Sequence, residues 1–254
     1  MSPRAKARLA GAFEALEGFP AAFGQVFVFG TLVVAGNAAA TARNILAHEA
    51  LFRFGFAVPL LAVGFHIAWA LLFYQLFKPV NRTVNLLATF VSLAGCAIQA
   101  MAADLYLTPL LILKGGSSLG AFTAAQQQSL ALASVDASRL AFDVYLIFFG
   151  FWCVLTGYLI FRSTFLPRIL GVLLALDGLG WMTYLWPPVA NSIYPVIAAV
   201  SGLAEFSLIL WLLVFGVNTQ RWKEQSGTAG RVDAGWGAQA SRGMMSLAVR
   251  RGRH

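Results

Sequence analysis

The chain has 254 residues, 59% of them hydrophobic and 11% charged, with a mean hydropathy of +0.74 and a formal net charge of +8. A soluble domain carries roughly 25% charged residues, so a soluble globular fold is excluded. The basic residues sit at the edges of apolar runs and in the tail, not on one soluble face, which excludes nucleic acid as the partner.

Lipid is then the solvent for most of the chain, and there every backbone N–H and C=O must be bonded internally. The apolar runs are far longer than the roughly 10-residue alternating strands of an outer-membrane barrel. The expectation is an all-α polytopic transmembrane helix bundle of about six spans. Residues 1–8 form a basic N-terminus carrying Arg4, Lys6 and Arg8. Glu14, Glu17 and Pro20 interrupt the next apolar run, which shows no small-residue cleavage site, so it reads as an uncleaved first helix reaching Val34. Asn37 to Ala50 opens on a good N-cap and is too polar to span, so it reads as a short interfacial helix. The second span is Phe54 to Phe77, and the turn Lys78 to Arg82 leads into a third, from Thr83 to Leu105. A break at Lys114 to Ser118 precedes a second interfacial helix, Leu119 to Ser134. The fourth and fifth spans form a hairpin through Arg162, Pro167 and Arg168; Pro187 and Pro188 stop the fifth, and Ile193 to Val217 is the sixth. The transmembrane domain thus covers 9–217. From 218 to 254 the composition turns to Gly, Ser, Ala and Arg, the mark of a disordered or loosely surface-bound basic tail.

Two stretches share a pattern of interfacial helix, arginine, span, basic turn and span. Arg53, Phe56 and Val58 in the first read against Arg139, Phe142 and Val144 in the second, a scheme that a parallel hairpin duplication would produce. Alternating the spans puts Arg4, Lys6, Arg8, Lys78, Arg82, Arg162, Arg168, Arg221 and Lys223 on one side, against Arg43, Arg53, Lys114 and Arg139 on the other. The positive-inside rule then predicts both termini in the cytoplasm and the interfacial helices on the outer face.

An ionisable side chain at the bilayer centre costs about 2.5 to 3.5 kcal/mol, so each one calls for a reason. His66, Asp177 and Glu205 fall near mid-membrane, with Asp143 closer to the outer side. Pro59, His66 and Ala70 share one helical face; Ser92, Cys96 and Gln99 form a second such stripe, and Ser201 with Glu205 a third. Facing stripes would enclose a polar pocket whose candidate members are His66, Gln99, Asp143, Asp177 and Glu205. The alternative is that these groups bond between helices and fix packing. Arg139 and Asp143, four apart, are expected to pair at the outer mouth. Cys96 and Cys153 lie in apolar runs and read as packing residues without a metal-ligand spacing.

The motifs NAAATARNILA from Asn37, LFKPVNR from Leu76, GYLIFRS from Gly157, FLPRILG from Phe165 and EFSLILWLLVFGV from Glu205 resemble a mainly bacterial multi-pass membrane family, domain of unknown function 4386. The resemblance runs from Asn37 to Val217 and implies a bacterial inner-membrane protein, with no activity attached. Glu14 and Glu17, the basic tail, and His66 where the family pattern implies an acid set this chain apart.

No phosphate loop, dinucleotide fingerprint or zinc motif is present, and no catalytic residue, cofactor or metal is implied. Phe142-Asp143 resembles one motif of the intramembrane aspartyl proteases, but the second, the DGLG run from Asp177, is backwards, and a single mid-membrane histidine leaves bis-histidine haem without its second ligand. The functional expectation is small-solute or proton-coupled transport through a polar intramembrane pocket. A structural or regulatory membrane subunit is the alternative, and a membrane-embedded hydrolase the third. The partners expected are the lipid bilayer, a small solute or proton, and anionic lipid at the tail.

Overall fold

Polar residues fix where the helices begin. The Asn37 side chain accepts from the Ala40 N–H at 2.9 Å, Asn81 does the same for Val84 at 3.0 Å, and Thr123 with Gln126 forms a reciprocal capping box. Each satisfies N–H groups that the first helical turn leaves without an intrahelical acceptor. The structure is a computed structural model describing residues 1–115 and 119–229, and among these every regular element is helical.

Helix α1 (Pro3–Ala22) continues through a wide π turn, Phe23–Val28, into the short α2 (Phe29–Leu32). Then come α3 (Ala38–Ala47), α4 (Glu49–Phe77), α5 (Arg82–Lys114) and α6 (Ala124–Arg162). They are followed by α7 (Arg168–Met182) with a 3-10 turn at Thr183–Leu185, and by α8 (Pro187–Val214). A last helix, α9, covers 219–229.

Five helices among the described residues, α4 to α8, are long and apolar enough to cross a membrane, with α7 counted through its 3-10 turn. The charges of α1 keep it out of that group. Yet Phe13 stacks on Phe65, Gly24 lies against Pro59, and Val28 lies against Gly55, so α1 runs antiparallel to α4. At 1.5 Å per residue the path from Pro3 to Leu32 rises about 45 Å, the height of the bundle. Its acids Glu14 and Glu17 are buried against protein, where lipid does not reach them.

Packing follows the order α1, α4, α5, α6, α7, α8 and back to α1, a closed ring of helices. Two apolar layers fill it. Near the chain termini Trp69, Phe73, Phe77, Trp152, Phe165 and Leu212 pack together. Toward the other end Phe29, Phe52, Tyr106, Leu110 and Val135 do so. Glu14, Glu17, His66, Ser92, Gln99, Asp177 and Ser201, buried polar residues of the ring helices, fall between these layers along the chain.

Several boundaries differ from the sequence expectation. Residues 119–134 make no separate interfacial helix, because nothing between Ala124 and Arg139 breaks the α pattern and α6 continues for 39 residues. Of the two expected interfacial helices, α3 alone stands as a separate short helix among the described residues. Pro187 and Pro188 begin α8, their fixed φ suiting the first helical turn, whereas the sequence reading had α8 start at Ile193. The tail is ordered as far as it is described. Trp222 Nε1 donates to the Leu76 carbonyl at 2.9 Å, and the Gln225 side chain accepts from both the N–H and the hydroxyl of Thr164 at 3.0 Å, docking α9 on the bundle. Residues 230–254, where the rest of the expected disorder falls, lie outside the described residues. The two hairpins share one register: α3 and α6 start 86 residues apart, as do α5 and α7, and as do Arg53 and Arg139.

Glycines bring α6 and α7 into backbone contact. A Cβ on Gly157 would stand 2.6 Å from the Gly171 carbonyl, and one on Gly150 would stand 2.7 Å from that of Gly178, so two glycine pairs seven residues apart mesh antiparallel. Gly178 thus serves the α6 contact, and a Cβ on Gly202 would have open space.

Candidate functional site

The polar layer is assembled from one or two residues on each helix of the ring. On α4, His66 is 2% exposed, with Nε2 2.8 Å from the Ser92 hydroxyl of α5. Its Nδ1 lies 3.4 Å from Glu17 Oε1 of α1. That second approach is too oblique for a hydrogen bond, since Nδ1 has no aligned partner, so it acts as an electrostatic contact. The same Glu17 oxygen accepts the Tyr145 hydroxyl of α6 at 3.3 Å. Glu14, one turn earlier on α1, turns toward Trp69; its Oε2 and the indole N–H are both buried without an aligned partner.

The other half comes from α6, α7 and α8. Asp177 is fully buried; its Oδ2 accepts from the Cys153 thiol at 3.4 Å and its Oδ1 has no partner. Ser201 donates to Glu205 Oε1 at 2.6 Å and accepts from the Trp181 indole at 3.2 Å. Glu205 lies within electrostatic range of Asp177, Glu17 and Glu14, which joins the halves. Among the described residues the ion pairs are Arg53 with Glu49, Lys114 with Glu49, and His66 with Glu17. Four carboxyl groups and an imidazole thus share one interior without a lysine or arginine partner. Buried charges without a partner are costly, so the arrangement needs a reason beyond packing.

A cavity of about 620 Å³ opens onto this layer. One wall is the α8 stripe Asn191, Tyr194, Ala198, Ser201 and Glu205, at alternating spacings of three and four that keep one helical face toward the void. The opposite wall is α6, from Arg139 and Asp143 inward to Tyr145 and Phe149. Trp181 and Tyr184 of the α7 end and Glu17 of α1 complete it. A larger groove of about 800 Å³ lies at the end where α9 docks, among Ser163, Arg168, Arg221 and Gln225, away from the polar layer.

Of the candidates named from sequence, His66, Asp177 and Glu205 come together in the layer, and Asp143 lines the cavity nearer its mouth. Gln99 does not join them. It sits beside Gly55, Pro59 and Tyr106, and neither its amide atoms nor the Tyr106 hydroxyl has a partner. The expected Arg139–Asp143 pair does not form: the Arg139 guanidinium lies 5.2 Å from the Phe29 ring centre, an aromatic surface that draws it away from the carboxylate. Sequence reasoning missed Glu14 and Glu17 as members, having taken them for interruptions of an apolar run. Their spacing of three on one face of that run was the available signal. Nothing in the sequence marked Tyr145 or Trp181.

Among the described residues no group of three or more His, Cys, Asp or Glu side chains is placed to hold a metal ion. No curated protein and no solved structure matches the chain. One family model does, over residues 10–216, a range that takes in every residue of the polar layer and the helix ring apart from the first turns of α1. The chain is an integral membrane helix bundle that belongs to the family described as Domain of unknown function (DUF4386).

Proposed function

We propose that the protein moves a small solute, protons or both across the bacterial inner membrane through its polar layer. The observation that supports this is the convergence of Glu14, Glu17, His66, Asp177 and Glu205 beside a cavity that reaches the protein surface. Packing alone would be served by neutral hydrogen-bonding pairs at far lower cost. From the cavity a proton can reach Glu17 and Glu205 directly. His66 stands between Glu17 and Ser92, and an imidazole can accept at one ring nitrogen while releasing from the other. Beyond it Trp69, Phe73 and Trp152 pack in a tilted cluster, with ring centres 4.4 Å to 5.8 Å apart. This aromatic layer closes the path toward the terminal end, so passage requires the helices to move, as in an alternating-access carrier. The basic residues gathered at the terminal end favour a cytoplasmic location for both termini, which makes the cavity outward-facing.

The test uses neutral isosteres. Glu205→Gln and Asp177→Asn keep shape and most hydrogen bonds, so both variants are expected to purify folded and to lose pH-driven flux in proteoliposomes. Intact variants with unchanged flux, or a parent protein with none, would refute transport and leave a structural or regulatory subunit as the reading.

A further inference from the structure

The cavity's chemistry narrows the solute. Of the ten acidic residues in a chain with net charge +8, Glu17, Asp143 and Glu205 line this one void, and Glu14 and Asp177 stand directly behind it. Arg139, turned over Phe29, is the one cationic residue of the lining. Rings make up much of the rest of the lining: Phe142, Tyr145 and Phe149 from α6, Trp181 and Tyr184 at the α7 end, and Tyr194 from α8. Glu17 is itself 9% exposed, and Asp177 Oδ1, fully buried behind Ser201 and Trp181, has no partner.

Each ligand class meets this lining differently. An anion is repelled by three carboxyl groups. A small metal cation seeks six or more oxygen ligands at short range, and among the described residues no three His, Cys, Asp or Glu side chains are placed to hold one. An organic cation gains from both features, because ring faces attract a weakly hydrated positive charge and the carboxylates neutralise it. The volume, about 620 Å³, lies within the range of about 300 to 1,000 Å³ that suits compact organic ligands. Ten residues separate Arg139 from Phe149 and fourteen separate Asn191 from Glu205, so the cleft is about 15 to 20 Å deep.

We infer that the cavity between α6, α7 and α8 is a binding site for a hydrophobic organic cation, held by Glu205, Glu17 and Asp143 and by the surrounding aromatic rings. The inference rests on the transport reading for its purpose but stands on binding alone.

Tetraphenylphosphonium and tetraphenylborate test it, being matched in shape and opposite in charge. Saturable binding of labelled tetraphenylphosphonium to the full-length protein in zwitterionic nanodiscs is expected, displaced by unlabelled cation and not by tetraphenylborate. Glu205→Gln and Asp143→Asn should each weaken it about tenfold, the loss of one charge-assisted contact. Tyr194→Ala, at a side chain 41% exposed near the mouth where folding is not at risk, should weaken it severalfold. Asp104→Asn, an exposed acid on α5 outside the cavity, should bind as the parent does. Equal displacement by tetraphenylborate, unaltered affinity in all three cavity variants, or no saturable binding would overturn the inference. Proton flux that persists without cation binding overturns this site and spares the transport reading; binding without any flux does the reverse.

Discussion

A methyl group at Gly157 probes how closely α6 and α7 pack. Its Cβ would stand 2.6 Å from the Gly171 carbonyl oxygen, 2.9 Å from the Ala175 amide nitrogen and 3.1 Å from the Ala175 Cβ. Ordinary contact begins near 3.4 Å, so the shortfall is about 0.8 Å. Two of the three opposing atoms are backbone and the third is a Cβ, so no side-chain rotation relieves the clash and the helices must part. Overpacking of this kind costs about 1 to 3 kcal/mol. Alanine's better helix propensity returns about 0.5 to 1 kcal/mol. The net expectation for Gly157→Ala is a loss of about 1 to 2 kcal/mol. Gly64→Ala is the matched control: nothing lies within 4 Å of its Cβ, so only the propensity gain remains and stability should rise slightly. Unfolding in detergent, followed by circular dichroism, measures both. If Gly157→Ala is as stable as Gly64→Ala, the two backbones do not meet at Gly157 and Gly171, and the glycine-meshed hairpin is wrong.

Other outcomes follow from the same structure. Topology reporters placed after Gln220 and after Gly115 should report opposite sides of the membrane; a shared side would refute the layout of spans. Truncation after Gln225 should leave insertion and folding intact, while Trp222→Ala, which removes the bond to the Leu76 carbonyl and packing against the terminal-end core, should cost about 2 kcal/mol in the same detergent assay. Gln99→Met replaces two buried, unpartnered amide atoms with a side chain of similar shape, so stability should rise by about 1 kcal/mol without loss of flux. A fall in stability would show that the Gln99 amide is satisfied in the membrane.

The class of this protein was legible in the sequence for a simple reason. Apolar length and the internal bonding that lipid demands admit few solutions, so the helical membrane bundle, the basic turns at Lys78 and Arg162 and the cap at Asn37 could be read residue by residue. His66, Asp177 and Glu205 announced themselves by the cost of placing them in lipid. That cost is local to each side chain and does not say which acid meets which. Helix rotation and ring order decide that Glu17 reaches His66 and Tyr145, that Asp177 faces Cys153, and that Gln99 stands apart. The same ring turned Glu14 and Glu17 from flaws in an apolar run into members of the interior, because a charge that looks exposed to lipid along the chain is shielded once α4, α6 and α8 close around it. Arg139 and Asp143 had the right spacing to pair, yet the Phe29 ring, more than a hundred residues away in sequence, offered the guanidinium a competing surface. Spacing along one helix fixes which side chains can meet; only the packing of other helices against it decides which of those meetings occur.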